Sequence, residues 1–558
     1  MRLRRPPGRR RDGRARPQRG AGNPERLGPL AGVTLAEAYD VVIVGGGHNG
    51  LVAATYLARA RRRVLVLEKR AAVGGPVVTE EIAPGFRGST GASVCGTLRP
   101  EVVKDLNLAA RGVQFIRPDP DVVALGDGRA LPIWRDVQKT AKALASVSAK
   151  DAQAYPRFIE FLSQFAEALD PILAMTPPNL PSPSWGEGVS LFRRALRLRR
   201  LGKRAMQQML RLPPMSIRDF LNEWFETELL KASFAVDGLI GTYEGPFSPG
   251  TAFGLVPRFR PDVHGTGSAF VRGGMGALAD ALGQAARDAG VTIRTGAEVT
   301  RIVSAEGRVT GVEVDGGTVG ARVVASNADP KRTFLHLVDP GELGPEFLNH
   351  VRNFEMNGVV AKVNFALDGA PRWSLAGSGV PPHFHVCPSL EYIERAYDDA
   401  KYGKPSTAPF LDVTVPTVVD PDLAPPGKHV MSVLIQYAPF ALRHGSWDTE
   451  GKKLAERATA ILEEFMPGLE RLILHRQVLT PVDLQERFGL TEGHIYHGEM
   501  TLDQSLVLRP VPGWSRYRTP VEGLYLCGSG AHPGGGITGA PGYNAAREIL
   551  KDWAQLSA

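Results

Sequence analysis

The stretch from Asp40 to Glu68, DVVIVGGGHNGLVAATYLARARRRVLVLE, limits what this chain can become more than any other. Val41 to Val44 is an apolar β-branched run of the kind a strand buried on both faces requires, and it ends abruptly in Gly45, Gly46 and Gly47. A helix follows, with Leu51, Ala54, Leu57 and Ala58 spaced to cover a sheet. Gly45 allows the tight turn, Gly47 lets the backbone approach a pyrophosphate, and Gly50 lets the helix pack closely on the strand. The free N–H groups and partial positive charge of the helix start favour phosphate. A second apolar run, Val64 to Leu67, closes on Glu68, eighteen residues beyond Gly50. A carboxylate there can accept hydrogen bonds from an adenosine ribose, so the unit predicts a dinucleotide with an unphosphorylated ribose.

With 558 residues the chain can bury large cores in two or more interleaved domains. Its net charge of +8 is local: residues 1–30 hold ten Arg against Asp12 and Glu25, so the other 528 residues sum to zero. No basic groove for nucleic acid is implied. The Arg-, Pro- and Gly-rich tail, residues 1–36, is expected to be disordered, and it lacks the apolar core of a signal peptide. Translation starting near Val33 is the simplest account of it. Cys95, Cys387 and Cys527 lie far apart in sequence, so neither a redox pair nor a zinc spacing is present, and a reducing compartment is expected. No uninterrupted apolar run approaches bilayer-spanning length. The expected location is cytoplasmic and peripheral to a membrane, or the mitochondrial matrix in a eukaryote.

Further along, Thr176 to Pro183 is a Pro-rich break, and Leu191 to Arg211 carries eight basic residues and no acid. Leu191, Ala195, Leu198, Ala205 and Met209 recur there at helical spacing. Such a basic amphipathic helix can lie on an anionic membrane surface, or pack on the protein by its apolar stripe. Phe270 to Leu278 opens a helix over Ala279 to Ala289, a strand follows at Val291 to Arg294, and a hairpin is predicted from Val309 to Val324 with its turn at Asp315, Gly316 and Gly317. Strand-like runs at Val359 to Phe365, Phe410 to Val415 and Val430 to Gln436 suggest an antiparallel substrate-binding sheet. The chain closes with a strand, a glycine-rich loop and a helix, Gly523 to Ala546. That last strand delivers Gly528 to the dinucleotide, and the loop's N–H groups, near the next helix start, can stabilise negative charge.

The motifs VVIVGGGHNGLVAA, VTEEIAPGF, GGMGALADAL, SNADP, MTLDQ, RPVPG and LYLCGSGAHPGGGITGAPGYNAA together resemble the phytoene desaturase and carotenoid isomerase group of FAD-dependent oxidoreductases, from Tyr39 to the C-terminus. The resemblance implies a Rossmann-like α/β FAD-binding domain of the amine oxidase and desaturase type. This domain is interleaved with an α+β substrate region built on a mixed or antiparallel sheet with helices. The expected division is 37–115, 265–335 and 506–558 for the FAD-binding domain, and 116–264 and 336–505 for the substrate domain. FAD is expected to be held by Gly45, Gly47, Gly50, Glu68, Lys69, Gly74, Gly75, Val299, Gly528, Gly536 and Ile537. Where many relatives have Arg after the second glycine pair, this chain has Pro76, which removes a donor.

Flavin desaturation asks for positioning: a substrate C–H about 3.5 Å from flavin N5, in a dry pocket. His532 is the ionisable residue expected nearest the flavin ring and the catalytic candidate, its alternative role being to fix the glycine loop. Arg509, His494 and His497 are further candidates from the substrate side. The expected activity is hydride transfer from a hydrophobic isoprenoid- or lipid-like substrate, with a quinone or oxygen as later acceptor. The alternatives are a redox-neutral double-bond isomerase and a non-catalytic flavoprotein partner at a membrane.

Overall fold

The computed structural model describes residues 36–179, 185–200, 202–259, 268–375 and 379–556. The Arg-rich tail, residues 1–35, and the second half of the Pro-rich break, residues 180–183, lie outside these residues. The first sheet runs Val299–Ala305, Arg308–Val314, Gly317–Ser326, Ala36–Val44, Val64–Glu68, Thr292–Thr295, with Leu524–Leu526 as a seventh strand beside Gly317–Ser326. Ala36–Val44 pairs parallel with Val64–Glu68 on one side and with Gly317–Ser326 on the other. Covered on both faces, Val41, Val42 and Ile43 are fully buried, as their unbroken apolar run requires. The predicted hairpin forms, with Asp315 and Gly316 both left-handed (φ 53° and 74°); this is the two-residue turn whose twist matches its strands, and Gly317 already belongs to the next strand. Helix His48–Arg59 touches both Met275–Asp288 and Ala540–Leu556. Gly542 permits the second contact, since a Cβ there would lie 2.0 Å from the Asn49 carbonyl oxygen.

The second sheet has the order Ile473–Leu479, Val360–Leu367, His429–Gln436, Phe410–Thr414, His383–Val386, Val122–Gly126, Arg129–Ile133. It is antiparallel except where His383–Val386 meets Val122–Gly126. Helices Ala149–Leu173, Ile217–Asn222 and Glu228–Leu239 share a core with it, centred on Phe158, which packs 4.8 to 5.7 Å from the rings of Phe220, Phe225 and Phe234. Helix Trp447–Glu463 shares a separate core with Phe384 and its neighbours.

The basic stretch departs from expectation. It forms two helices, Trp185–Arg200 and Lys203–Arg211, because Gly202 adopts φ 91° and breaks the hydrogen-bond ladder. Met209 is buried, whereas Phe192 and Leu210 are 65% and 73% exposed. No helix among the described residues is long and apolar enough to cross a membrane.

Candidate functional site

The opening strand–helix–strand unit and the closing glycine loop meet in one place. Leu524–Leu526 adds to the same sheet, Asn49 Nδ2 donates to Ser529 Oγ at 3.1 Å, and one cleft is lined by Gly45, Gly47, Glu68, Ser529, Gly536 and Ile537. Its floor is the start of helix His48–Arg59, whose first-turn amides have no intrahelical acceptor and no side-chain cap. Gly74 N–H donates to Gly46 O at 2.8 Å, drawing the second glycine pair against the first. Gly46 N–H and Arg70 N–H hold the Glu68 carboxylate at 2.7 and 2.8 Å, fixing it at the strand tip.

The expected cofactor residues divide by role. Gly45, Gly47, Glu68, Lys69, Gly75, Val299, Gly536 and Ile537 line the cleft. Gly50, Gly74 and Gly528 stand behind it. A Cβ would fall 2.4 Å from Gly45 O at position 50, 2.4 Å from Val77 O at 74 and 2.5 Å from Asn327 O at 528, so these glycines let backbone meet backbone. The lining suits a dinucleotide: unpaired helix-start amides for the pyrophosphate, a tethered carboxylate for the ribose, and His48, whose Nε2 has no partner among the described residues.

The candidates near the flavin end are redistributed. His532 is not among the residues lining the cleft. It is fully buried, its Nε2 meets Ile172 O at 3.1 Å, and burial depresses its pKa to about 4. Its imidazole therefore lies outside the cleft lining and ties the glycine loop to a helix. Arg509 is likewise buried, donating to the carbonyls of Tyr496, Gly498, Glu499, Gln504 and Ser529. His494 Nε2 lies 3.0 Å from Glu499 Oε1, both buried. Of these four, His497 alone lines the cleft.

Across the cleft stands a group no short motif disclosed. Lys362, Leu434, Asp412 and His385 are successive partners across four strands and so project from one face of the second sheet. Lys362 Nζ donates to Ser89 O, Gly91 O and, at 2.7 Å, Ser93 Oγ; burial lowers its pKa to about 7 against the pull of Asp412. Asp412 Oδ1 lies 2.6 Å from His383 Nε2 and 3.4 Å from His385 Nε2. Burial opposes ionisation of Asp412, but the two imidazoles outweigh it and hold the carboxyl far below its usual range. The one visible signal was a lone lysine inside the apolar run VVAKVNF.

The cleft, about 290 Å³, adjoins a second cavity of about 440 Å³ through Thr97, Asp237, Ile240, Arg258, Tyr496 and Gly536. Leu173, Pro214, Phe253, Met500, Leu502 and Leu506 make that chamber largely apolar.

The family model described as flavin containing amine oxidoreductase matches residues 50–550. The chain is 39% identical to pyridine nucleotide-disulfide oxidoreductase domain-containing protein 2 of Rattus norvegicus, over 93% of this chain and 94% of that protein. It is 31% identical to one of the subunits of the limonene dehydrogenase of Castellaniella defragrans, over 92% and 94%. Against a lycopene-forming phytoene desaturase of Pseudescherichia vulneris it is 27% identical, over 89% and 96%. The three described cysteines are all free and buried, so none forms a disulfide. With a cleft built for a flavin dinucleotide and a family match across nearly its whole length, the chain belongs to the flavin-containing amine oxidoreductases, with FAD as cofactor.

Proposed function

We propose that this FAD-dependent oxidoreductase desaturates a hydrophobic, isoprenoid- or lipid-like substrate. The observation that carries the reading is the apolar chamber opening onto the cofactor cleft, a shape suited to a long apolar molecule laid toward the flavin. Relatives named for limonene and phytoene, both isoprenoid hydrocarbons, point the same way.

FAD, when bound, supplies the hydride acceptor at N5. In the net change a –CH2–CH2– unit becomes –CH=CH–: one hydrogen leaves with its electron pair and the vicinal one leaves as a proton. Lys362 Nζ, titrating near neutrality, can hold that proton: the neutral amine has two N–H groups to share among Ser89, Gly91 and Ser93, and protonation supplies the third donor that completes all three bonds. The apolar walls exclude water and hold the chain in line. A quinone or dioxygen would be the class of later electron acceptor. The exposed Trp185, Phe192 and Leu210, set among arginines, would rest on an anionic membrane from which such a substrate partitions.

Anaerobic incubation of the holoprotein with isoprenoid hydrocarbons and lipids tests the reading. Expected are bleaching of the oxidised flavin spectrum and a product lacking two hydrogens. A product of unchanged mass would establish an isomerase, and an inert flavin across the whole panel would refute substrate oxidation of this class.

A further inference from the structure

Where the two cavities join, the chemistry changes from apolar to charged. Arg258, on the 3-10 segment Thr251–Phe259, lines both of them, while its neighbours Leu255, Val256 and Phe259 are buried. Its guanidinium donates to Tyr496 OH at 3.3 Å, and no ion pair engages it among the described residues. A guanidinium carries five donors and stays charged, so with one of them on Tyr496 OH the others remain to meet an anion in the space where the two cavities join.

Burial opposes the charge on Arg258, and Tyr496, Asp237 and Asp412 together outweigh it, yet among the described residues neither acid reaches the guanidinium as an ion pair. Asp412 is already shared by His383 and His385. Asp237 lines both cavities with its Oδ2 unpartnered among the described residues, and burial raises its pKa toward the neutral acid.

We propose that Arg258 anchors an anionic head group, a carboxylate, on an otherwise apolar substrate whose chain occupies the second chamber. This rests on the hydrophobic-substrate reading above and narrows it from hydrocarbons to amphiphilic acids. A planar carboxylate matches the guanidinium fork, and Tyr496 OH stands beside it as a further hydrogen-bonding group. The head then lies at the mouth of the flavin cleft, which brings the first carbons of the chain nearest the cofactor.

A divalent cation is the competing occupant of this wall. The ligating atoms of His383, His385 and Asp412 all lie within 4.8 Å of one another. However, the Arg258 guanidinium and the Lys362 amine line the same cleft, and positive charge there opposes a bound cation.

The test uses FAD-loaded full-length protein and three isoprenoid probes with one chain and different heads: farnesoic acid, farnesol and farnesene. Affinities are read from perturbation of the flavin absorbance, in the parent and in Arg258→Met and Arg258→Lys, each checked for equal flavin content. The acid is expected to bind at least about tenfold more tightly than the other two, with the preference lost in Arg258→Met and kept in Arg258→Lys. Equal binding of all three probes would overturn the anchor and leave the hydrophobic reading standing. Acid preference that survives in Arg258→Met would overturn the assignment to Arg258. If no probe binds, the hydrophobic reading itself falls, and the anchor with it. Elemental analysis of the same holoprotein adds an independent outcome: a stoichiometric divalent metal, lost in His383→Ala, would overturn the proposal in favour of a metal site.

Discussion

Replacing Lys362 with Met removes a titrating group from the cleft wall while keeping its volume. The pKa falls from an ordinary 10.5 to about 7 in the folded chain. At 1.36 kcal/mol per pH unit that gap corresponds to about 5 kcal/mol when the amine is forced to be charged. Because the folded pKa is depressed, the unfolded chain binds more protons between the two values. Stability therefore falls as pH drops from about 10.5 to about 7 and levels off below. Between pH 9 and 7 the unfolded amine stays protonated and the folded one goes from neutral to about half-protonated, which destabilises the parent by about 2 kcal/mol. The variant lacks this dependence. Its lost hydrogen bonds to Ser89 and Gly91 impose an offset of about 1–3 kcal/mol each, present at both pH values. Urea unfolding of both proteins at pH 7 and pH 9, followed by flavin release and by far-ultraviolet circular dichroism with coincident transitions, isolates the difference. The parent-minus-variant stability is expected to shift by about 2 kcal/mol between the two pH values. Parallel pH dependences would refute the assignment of a near-neutral pKa to Lys362, and with it the proton-holding role.

Gly50→Ala places a methyl 2.4 Å from Gly45 O and 3.2 Å from Ile43 Cγ2, so the helix start must move; purified protein is expected to retain little FAD, as its absorbance spectrum would report. Arg509→Met strands six carbonyls, those of Tyr496, His497, Gly498, Glu499, Gln504 and Ser529, at about 1 kcal/mol or more each, and a large drop in thermal midpoint is expected; a midpoint near the parent's would contradict the clamp. His532→Ala is expected to destabilise by roughly 1–3 kcal/mol while flavin reduction by substrate keeps the parent's rate, and a steep loss of rate at full flavin content would restore a catalytic role. Phe192→Asp combined with Leu210→Asp should weaken co-sedimentation with phosphatidylglycerol vesicles; a parent that does not sediment with them would end the membrane proposal.

What the sequence determined by itself is whatever is coded over short spans. The opening strand–helix–strand unit, its glycines and Glu68 lie within thirty residues, where apolar periodicity and glycine spacing map directly onto geometry. The hairpin at Asp315 and Gly316 was legible for the same reason, since only left-handed backbone closes so short a turn. Even there the division of the glycines into cleft-lining and close-packing needed the folded neighbours, because Gly528 is explained by Asn327, some two hundred residues earlier in the chain.

Tertiary structure alone decided the chemistry of the opposite wall. Lys362, Asp412 and His385 come from strands separated by long connections, and only the pairing register puts them on one face. His532 stands beside the glycine loop in sequence, yet its partner is the carbonyl of Ile172 on a distant helix, which removes it from the cleft. Arg509, a candidate from the substrate side in the motif RPVPG, is buried among carbonyls. A polar side chain's role follows from which buried groups it meets, and those meetings are made by long-range packing that no local pattern encodes.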